Sequence, residues 1–308
     1  MTVAWPKWFA VVGALLLVLQ AAAERQAAAA DATKTQVLIV VGPSKHPPGT
    51  HEVAAGGRVI KYMLEHAQGV PPVAAEVAYQ WPQDKKVLDR AATIVFTGDL
   101  FPGETMENPA KIKADLAAMM GRGCGMVCIH FATGVRPEHM TGDEDHPLVH
   151  WLGGCYYRGK SRVFTATLVP EPLDHPVLRG WKAFSFDDEP YWNNYFGKDG
   201  PAKNVTPLVS AMLPPDEPKK EIVAWAVERA DGGRGMGIVV PHFFRNWKID
   251  NLRTLVLNGI CWTAKLDVPP QGVQSSLPDL ATFAPASVEP QPPAKNNKNQ
   301  PKAAPKKK

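Results

Sequence analysis

Once its first thirty residues are set aside, the sequence has no apolar run approaching the ~20 residues that a membrane-spanning helix needs. The run at the start, Phe9 to Leu19, is also too short for a comfortable span. It follows Lys7 and precedes Ala21-Ala22-Ala23, with a second small-residue choice among Ala27 to Ala30. A positive start, a short apolar centre and small residues at a cut site form a secretory signal. Residues 1–30 are therefore expected to be removed, and the product exported to the periplasm or beyond the cell. A retained anchor is the alternative, and the shortness of the run speaks against it.

Cysteine is scarce, with four in 308 residues. Cys124 and Cys128 flank a strand-like run, which would hold their Cα atoms ~13 Å apart. A disulfide needs less than ~7 Å. Cys155 and Cys261 could pair, but nothing requires it, and free, mostly buried thiols are expected. Excess charge is lacking too. The net charge of +4 comes from the ends: residues 271–308 hold six lysines against Asp279 and Glu289, and residues 1–30 add one positive charge. Residues 31–270 are left at −1. A nucleic-acid-binding surface is not indicated. From Pro269 onward the chain is rich in Pro, Ala, Gln, Asn and Lys, and 269–308 is expected to be a disordered tail, because such a composition cannot offset its ordering entropy.

The remaining 31–268 suit one large α/β domain. Gln36–Val41 is a continuous β-branched run of the kind buried on both faces of a parallel sheet. Strand patterns recur at 73–79, 93–97 and 125–129, with helical spacing at 53–64 (Val53, Val59, Ile60, Met63, Leu64) and 111–120. Alternating strands follow at 162–169, 221–228 and 235–240. Asp231-Gly232-Gly233 marks a hairpin between the last two, and a final helix spans 251–265. This order predicts a flavodoxin-like, doubly wound, mostly parallel sheet, in which ligands bind beyond the carboxyl ends of the strands.

That rule selects residues. The first strand leads to His46, His51 and Glu52, the third to Asp99, the fourth to His130, and the strand ending at Pro241 to His242. His130 has small residues, Cys128 and Ala132, two places to either side, as in a nucleophile elbow. An imidazole there suits proton transfer or metal ligation rather than thiolate chemistry. Glu52 and Glu189 are the leading carboxylates, although Glu52 also stands where a helix N-terminus favours negative charge. Asp187-Asp188-Glu189 lies beside Tyr191, Trp192, Tyr195 and Phe196, aromatics that suit a sugar ring and equally suit a core.

Several segments resemble the trehalose-utilisation (ThuA-like) family: Gly121-Arg122-Gly123 through His130-Phe131-Ala132-Thr133, Trp151-Leu152-Gly153-Gly154, Asp174-His175-Pro176 through Arg179-Gly180, Asp188-Glu189-Pro190-Tyr191, Val223-Ala224-Trp225, Gly232-Gly233-Arg234-Gly235 and Gly259-Ile260-Cys261-Trp262. The resemblance covers about residues 36–266 and is carried by their order. It implies the class I glutamine amidotransferase-like fold without its catalytic cysteine, and an association with disaccharide utilisation. His130 matches the family's elbow histidine, His242 its late histidine, and Asp188-Glu189 its acidic pair. After His242 the chain departs from the pattern with Phe243-Phe244-Arg245-Asn246-Trp247, which would turn Arg245 toward the site. Asp174-His175-Pro176 falls between strands and is expected to fix a loop.

The expected function is hydrolytic or eliminative action on a disaccharide or an oxidised (keto) sugar. In that reading His130, His242, Glu52 and Glu189 are catalytic, and His51, Asp99, Asp188, Tyr191 and Arg245 bind substrate. A divalent metal on His51, His130 and His242 is a variant of it, with no compact His-x-x-x-His pair to support it. The alternative is a non-catalytic carbohydrate-binding or scaffold protein. Glutamine amidotransferase activity is not expected.

Overall fold

The computed structural model describes residues 34–142 and 144–283; the expected signal segment lies outside them. Among the described residues eleven strands follow one another: β1 (Thr35–Val41), β2 (Val73–Ala78), β3 (Thr93–Thr97), β4 (Gly125–Ile129), β5 (Lys160–Ser161), β6 (Phe164–Pro170), β7 (Phe184–Asp188), β8 (Tyr191–Trp192), β9 (Val205–Leu213), β10 (Lys219–Glu228) and β11 (Arg234–Ile238). The helices are α1 (Val53–Glu65), α2 (Lys85–Arg90), α3 (Pro102–Thr105), α4 (Pro109–Gly121), α5 (Pro147–Trp151) and α6 (Asp250–Thr263).

Nine strands form one sheet in the order β2-β1-β3-β4-β11-β10-β9-β6-β7. Pairings from β2 to β11 are parallel, and those from β11 to β7 antiparallel. The parallel part has the flavodoxin-like order. Its strands are apolar because helices cover both faces: every residue of β3 and β4 is buried. One side of α1 is buried through Ala55, Val59, Ile60, Met63 and Leu64. A Cβ on its Gly57 would stand 2.7 Å from Val41 Cγ2, so glycine lets the helix lie close on β1. In the β10–β11 hairpin Gly232 takes φ +77°, a conformation that strains residues with a Cβ.

The second half departs from expectation. Phe184–Asp188 is a strand, and its alternation turns Phe186 and Asp188 inward while Ser185 and Asp187 face solvent. The acidic end of that segment hid the period. Residues 269–283, assigned above to a disordered tail, pack on the body. Val273, Leu280 and Phe283 are buried, the Val273 N–H donates to Asn258 Oδ1 at 2.8 Å, and Arg58 Nε donates to the Phe283 carbonyl at 2.9 Å. These apolar side chains are spaced too irregularly to match a helix or strand period. All four cysteines are free and buried. No helix among the described residues is long and apolar enough to cross a membrane.

Candidate metal centre

The carboxyl ends of β1, β3, β4 and β11 deliver His51, Asp99, His130 and His242 to one place. His130 is the sharpest turn. It leaves β4 with φ +52°, a left-handed conformation rare for a residue with a Cβ. A single 3₁₀ turn, His130–Thr133, follows, closed by Thr133 Oγ1 donating to the His130 carbonyl at 2.7 Å. Cys128 and Ala132, both fully buried, leave room for the bend.

Three imidazole nitrogens face one another. His51 Nε2 is 2.9 Å from His130 Nε2 and 2.9 Å from His242 Nδ1, and His130 Nε2 is 3.2 Å from His242 Nδ1. Glu189 Oε2 lies 2.9 Å from His242 Nδ1. All four donor atoms fall within 4.8 Å of one another.

The opposite ring edges assign the protons. His51 Nδ1 is 2.6 Å from Asp99 Oδ1, and His130 Nδ1 is 2.8 Å from the Val239 carbonyl. Both partners only accept, so each Nδ1 of the neutral rings carries the hydrogen and each Nε2 presents a lone pair, that of His130 also within reach of the Tyr191 hydroxyl. Burial makes protonation of either ring costly: it lowers the His51 pKa to about 4 and that of His130 well below its ordinary value, and neighbouring imidazoles add to this. Neutral imidazoles held by a carboxylate and a carbonyl are metal ligands in their binding state.

Burial would raise the Asp99 carboxyl, but bonds from His46, His51 and the Lys45 N–H outweigh it and keep the group ionised far below the usual range. His46 Nδ1 is 2.9 Å from Asp99 Oδ2, and its ring stacks on His51 with centroids 3.6 Å apart. Burial likewise opposes ionisation of Glu189, which His242 and Ser161 nevertheless hold below its ordinary value. Ser161 Oγ donates to Glu189 Oε1 at 3.0 Å. Tyr191 Oη lies 3.0 Å from His130 Nε2, and burial pushes that phenol well above its ordinary pKa, so it keeps its proton.

Several assignments from the sequence need correction. Asp188 does not reach substrate; it is fully buried, and its carboxylate accepts from the backbone N–H groups of His242 (2.8 Å) and Glu189 (2.7 Å) and from Asn246 Nδ2 (2.6 Å). It positions two of the four donors. Asp99 likewise orients His51. Glu52, the N-cap residue of α1, makes no side-chain cap bond and stands outside the donor cluster, although it lines the hollow beneath the histidines: its Oε1 accepts from the Gly49 N–H at 2.9 Å, closing the turn before α1. Arg245 does not point into the histidine cluster; its guanidinium lies over the Phe243 ring, 4.3 Å from the centroid, and it is the next residue, Asn246, that turns inward. Tyr191 is buried against Tyr156, with centroids 4.0 Å apart, and offers only its hydroxyl. Trp192 is buried as well, and Phe196 packs on Trp225 as core. Ser161 and Asn246 carried no sequence signal, since each works through hydrogen bonds set by the fold. His175 accepts from the Val177 N–H at 3.2 Å and caps a turn, a loop-fixing role.

The donor set is three nitrogens and one carboxylate oxygen. No thiol joins it: Cys128 is buried in β4 and its pKa is pushed well above the ordinary value by that burial. Such a set fits zinc, manganese, iron(II) or nickel better than a thiophilic ion. In a tetrahedral zinc site, ligand nitrogens stand about 3.3 Å apart. The observed separations are close to that.

No family model and no curated protein matches the sequence. Among solved structures, a protein of Bacteroides uniformis named ThuA-like matches over 74% of this chain and 91% of its own, at 15% identity and TM-score 0.54. The two chains share a fold. A protein of Thermoplasma acidophilum named as part of a GMP synthase (75% and 95% covered, 8% identity, TM-score 0.44) and a carbohydrate deacetylase, Agd3 (75% and 32%, 11%, 0.46), match more loosely and carry no argument.

Proposed function

We propose that the chain is an exported, ThuA-like, metal-dependent enzyme that hydrolyses or eliminates on a disaccharide or keto sugar. The observation that carries the metal is the convergence of two imidazole lone pairs, His51 Nε2 and His130 Nε2, on a third imidazole and a carboxylate. A divalent cation among these donors turns their mutual repulsion into coordination. The sugar substrate is supported by the resemblance of residues 36–266 to the ThuA-like family and by the shared fold; export is supported by residues 1–30.

His51, His130, His242 and Glu189 would hold a divalent ion, which when bound polarises a substrate oxygen or acidifies a water. The protein's own groups do the rest. Asp99 and the Val239 carbonyl keep two imidazoles aimed, and burial keeps them neutral. Asp188 fixes the backbone of His242 and Glu189. Tyr191 holds a proton beside the donors and is the candidate acid for a leaving oxygen.

The test is turnover by the metal-loaded chain of disaccharides and their 3-keto forms, with product release followed by chromatography. Turnover lost in His130→Ala, and reduced in Tyr191→Phe without loss of metal, supports the enzyme. Sugars that bind and are never converted would make it a carbohydrate-binding module instead.

A further inference from the structure

A second cavity opens on the same rim, at the carboxyl ends of β1 and β2. It encloses about 440 Å³ and is lined by Tyr79, Gln80, Trp81, Gln83, Glu107 and Asn108 among others. That volume is in the range of small-molecule sites. It shares Val53 with the hollow beneath the histidines. The strand-end loop between them serves both: Pro43 lines the cavity, its carbonyl accepts from the Asp99 N–H at 2.8 Å, and the Lys45 N–H donates to Asp99 Oδ2 at 2.7 Å.

Two aromatic rings in this cavity are fixed at their polar tips. Trp81 Nε1 donates to Asp115 Oδ2 at 2.8 Å, which locks a buried indole. Tyr79 is half exposed, and its hydroxyl accepts from Arg58 Nη1 at 3.1 Å. Arg58 is in turn seated by the Phe283 carbonyl. The packed segment that includes Phe283 thus steadies one wall of the cavity. No Lys or Arg among the described residues lines it, and one carboxylate does. The nearest cations, Arg58 and Lys111, are engaged by the Tyr79 hydroxyl and by Asp115, so the lining itself favours a neutral ring whose C–H face meets Tyr79 and whose hydroxyl edges meet three side-chain amides and a carboxylate.

We infer that this cavity is a binding subsite for a neutral pyranose ring, taking the part of a sugar substrate that does not react. Tyr79 provides the exposed stacking wall with the buried Trp81 behind the cavity, Gln80, Gln83 and Asn108 provide amide partners, and Arg58 is a positioning residue. The inference rests on the sugar reading of the metal centre. Binding energy from a remote ring is what orients a reacting bond.

The experiment is a tryptophan-fluorescence titration of the metal-stripped chain with trehalose, maltose and cellobiose. A saturable change with at least one sugar is expected, absent in Trp81→Phe. Affinity should fall about tenfold in Tyr79→Ala, a loss of ~1.4 kcal/mol, and also in Gln83→Ala, with circular dichroism unchanged. Arg58→Lys should weaken binding less than Arg58→Ala, because a positioned cation is partly restored. Binding that survives while turnover is absent sinks the catalytic reading and keeps the subsite. Unchanged affinity in both Tyr79→Ala and Gln83→Ala, or no binding of any of the three sugars, overturns the subsite, whatever the metal centre does.

Discussion

His51 Nε2 and His130 Nε2 lie 2.9 Å apart with no proton to share, because each ring has its hydrogen on the other nitrogen, committed to Asp99 and to the Val239 carbonyl. A protein core does not keep two desolvated lone pairs opposed without a reason. The pair comes from loops 79 residues apart in sequence. The fold brings them together at the switch point, where β1 and β3 lie side by side and their connections leave in opposite directions.

Asp99→Asn tests the outer support of that pair. The amide can still bond one neighbour but no longer presents a full charge to His51 Nδ1. Metal affinity should fall about 10–100-fold with the fold retained, as read by competition against a chromophoric chelator. Unchanged affinity would mean that Asp99 does not orient His51.

Asp188→Ala should cost stability. It leaves the His242 and Glu189 N–H groups and the Asn246 amide without their buried acceptor. Each unpaired donor costs about 1–3 kcal/mol, and some will find water, so a loss of roughly 3 kcal/mol is expected by urea unfolding. Asn246→Ala, which removes one donor, should cost less. A silent Asp188→Ala would show that the carboxylate is not a structural acceptor.

How much of this was legible beforehand follows from period and strand-end logic. The parallel strands announced themselves as apolar β-branched runs, and the rule that ligands sit at strand carboxyl ends picked out His51, Asp99, His130 and His242 from loops far apart in the sequence. Asp188 was misread because its chemistry was taken from its charge; alternation with Phe186 would have turned it inward. Arg245 and Asn246 could not be separated, since one residue of register in a 3₁₀ turn decides which faces in. The segment to Phe283 was lost to composition: three buried apolar residues, Val273, Leu280 and Phe283, are scattered among mostly exposed neighbours.

Leu280→Ala checks that segment. The side chain is fully buried against the body. Its truncation should cost about 2–5 kcal/mol, measured by thermal or urea unfolding. A cost near zero would return the segment to a dispensable tail.

His175 gives a pH test away from the metal. Burial lowers its pKa to about 4, while the unfolded chain protonates this ring near 6.5. The unfolded state therefore gains a proton that the folded state resists, and stability is lost as pH falls from about 6.5 toward 4. His175→Asn can keep the turn cap without titrating. Its melting temperature should fall less than the parent's over that window; parallel curves would remove His175 from the acid response.

The central claim is tested most directly by metal content and affinity. The chain, stripped with a chelator and titrated with zinc, manganese, iron(II) and nickel by calorimetry, should take up one divalent ion per chain. His51→Ala and His130→Ala should each abolish that binding while remaining folded by circular dichroism. If the stripped protein binds none of these ions, or binds them equally well without either imidazole, the three-histidine centre is not a metal site.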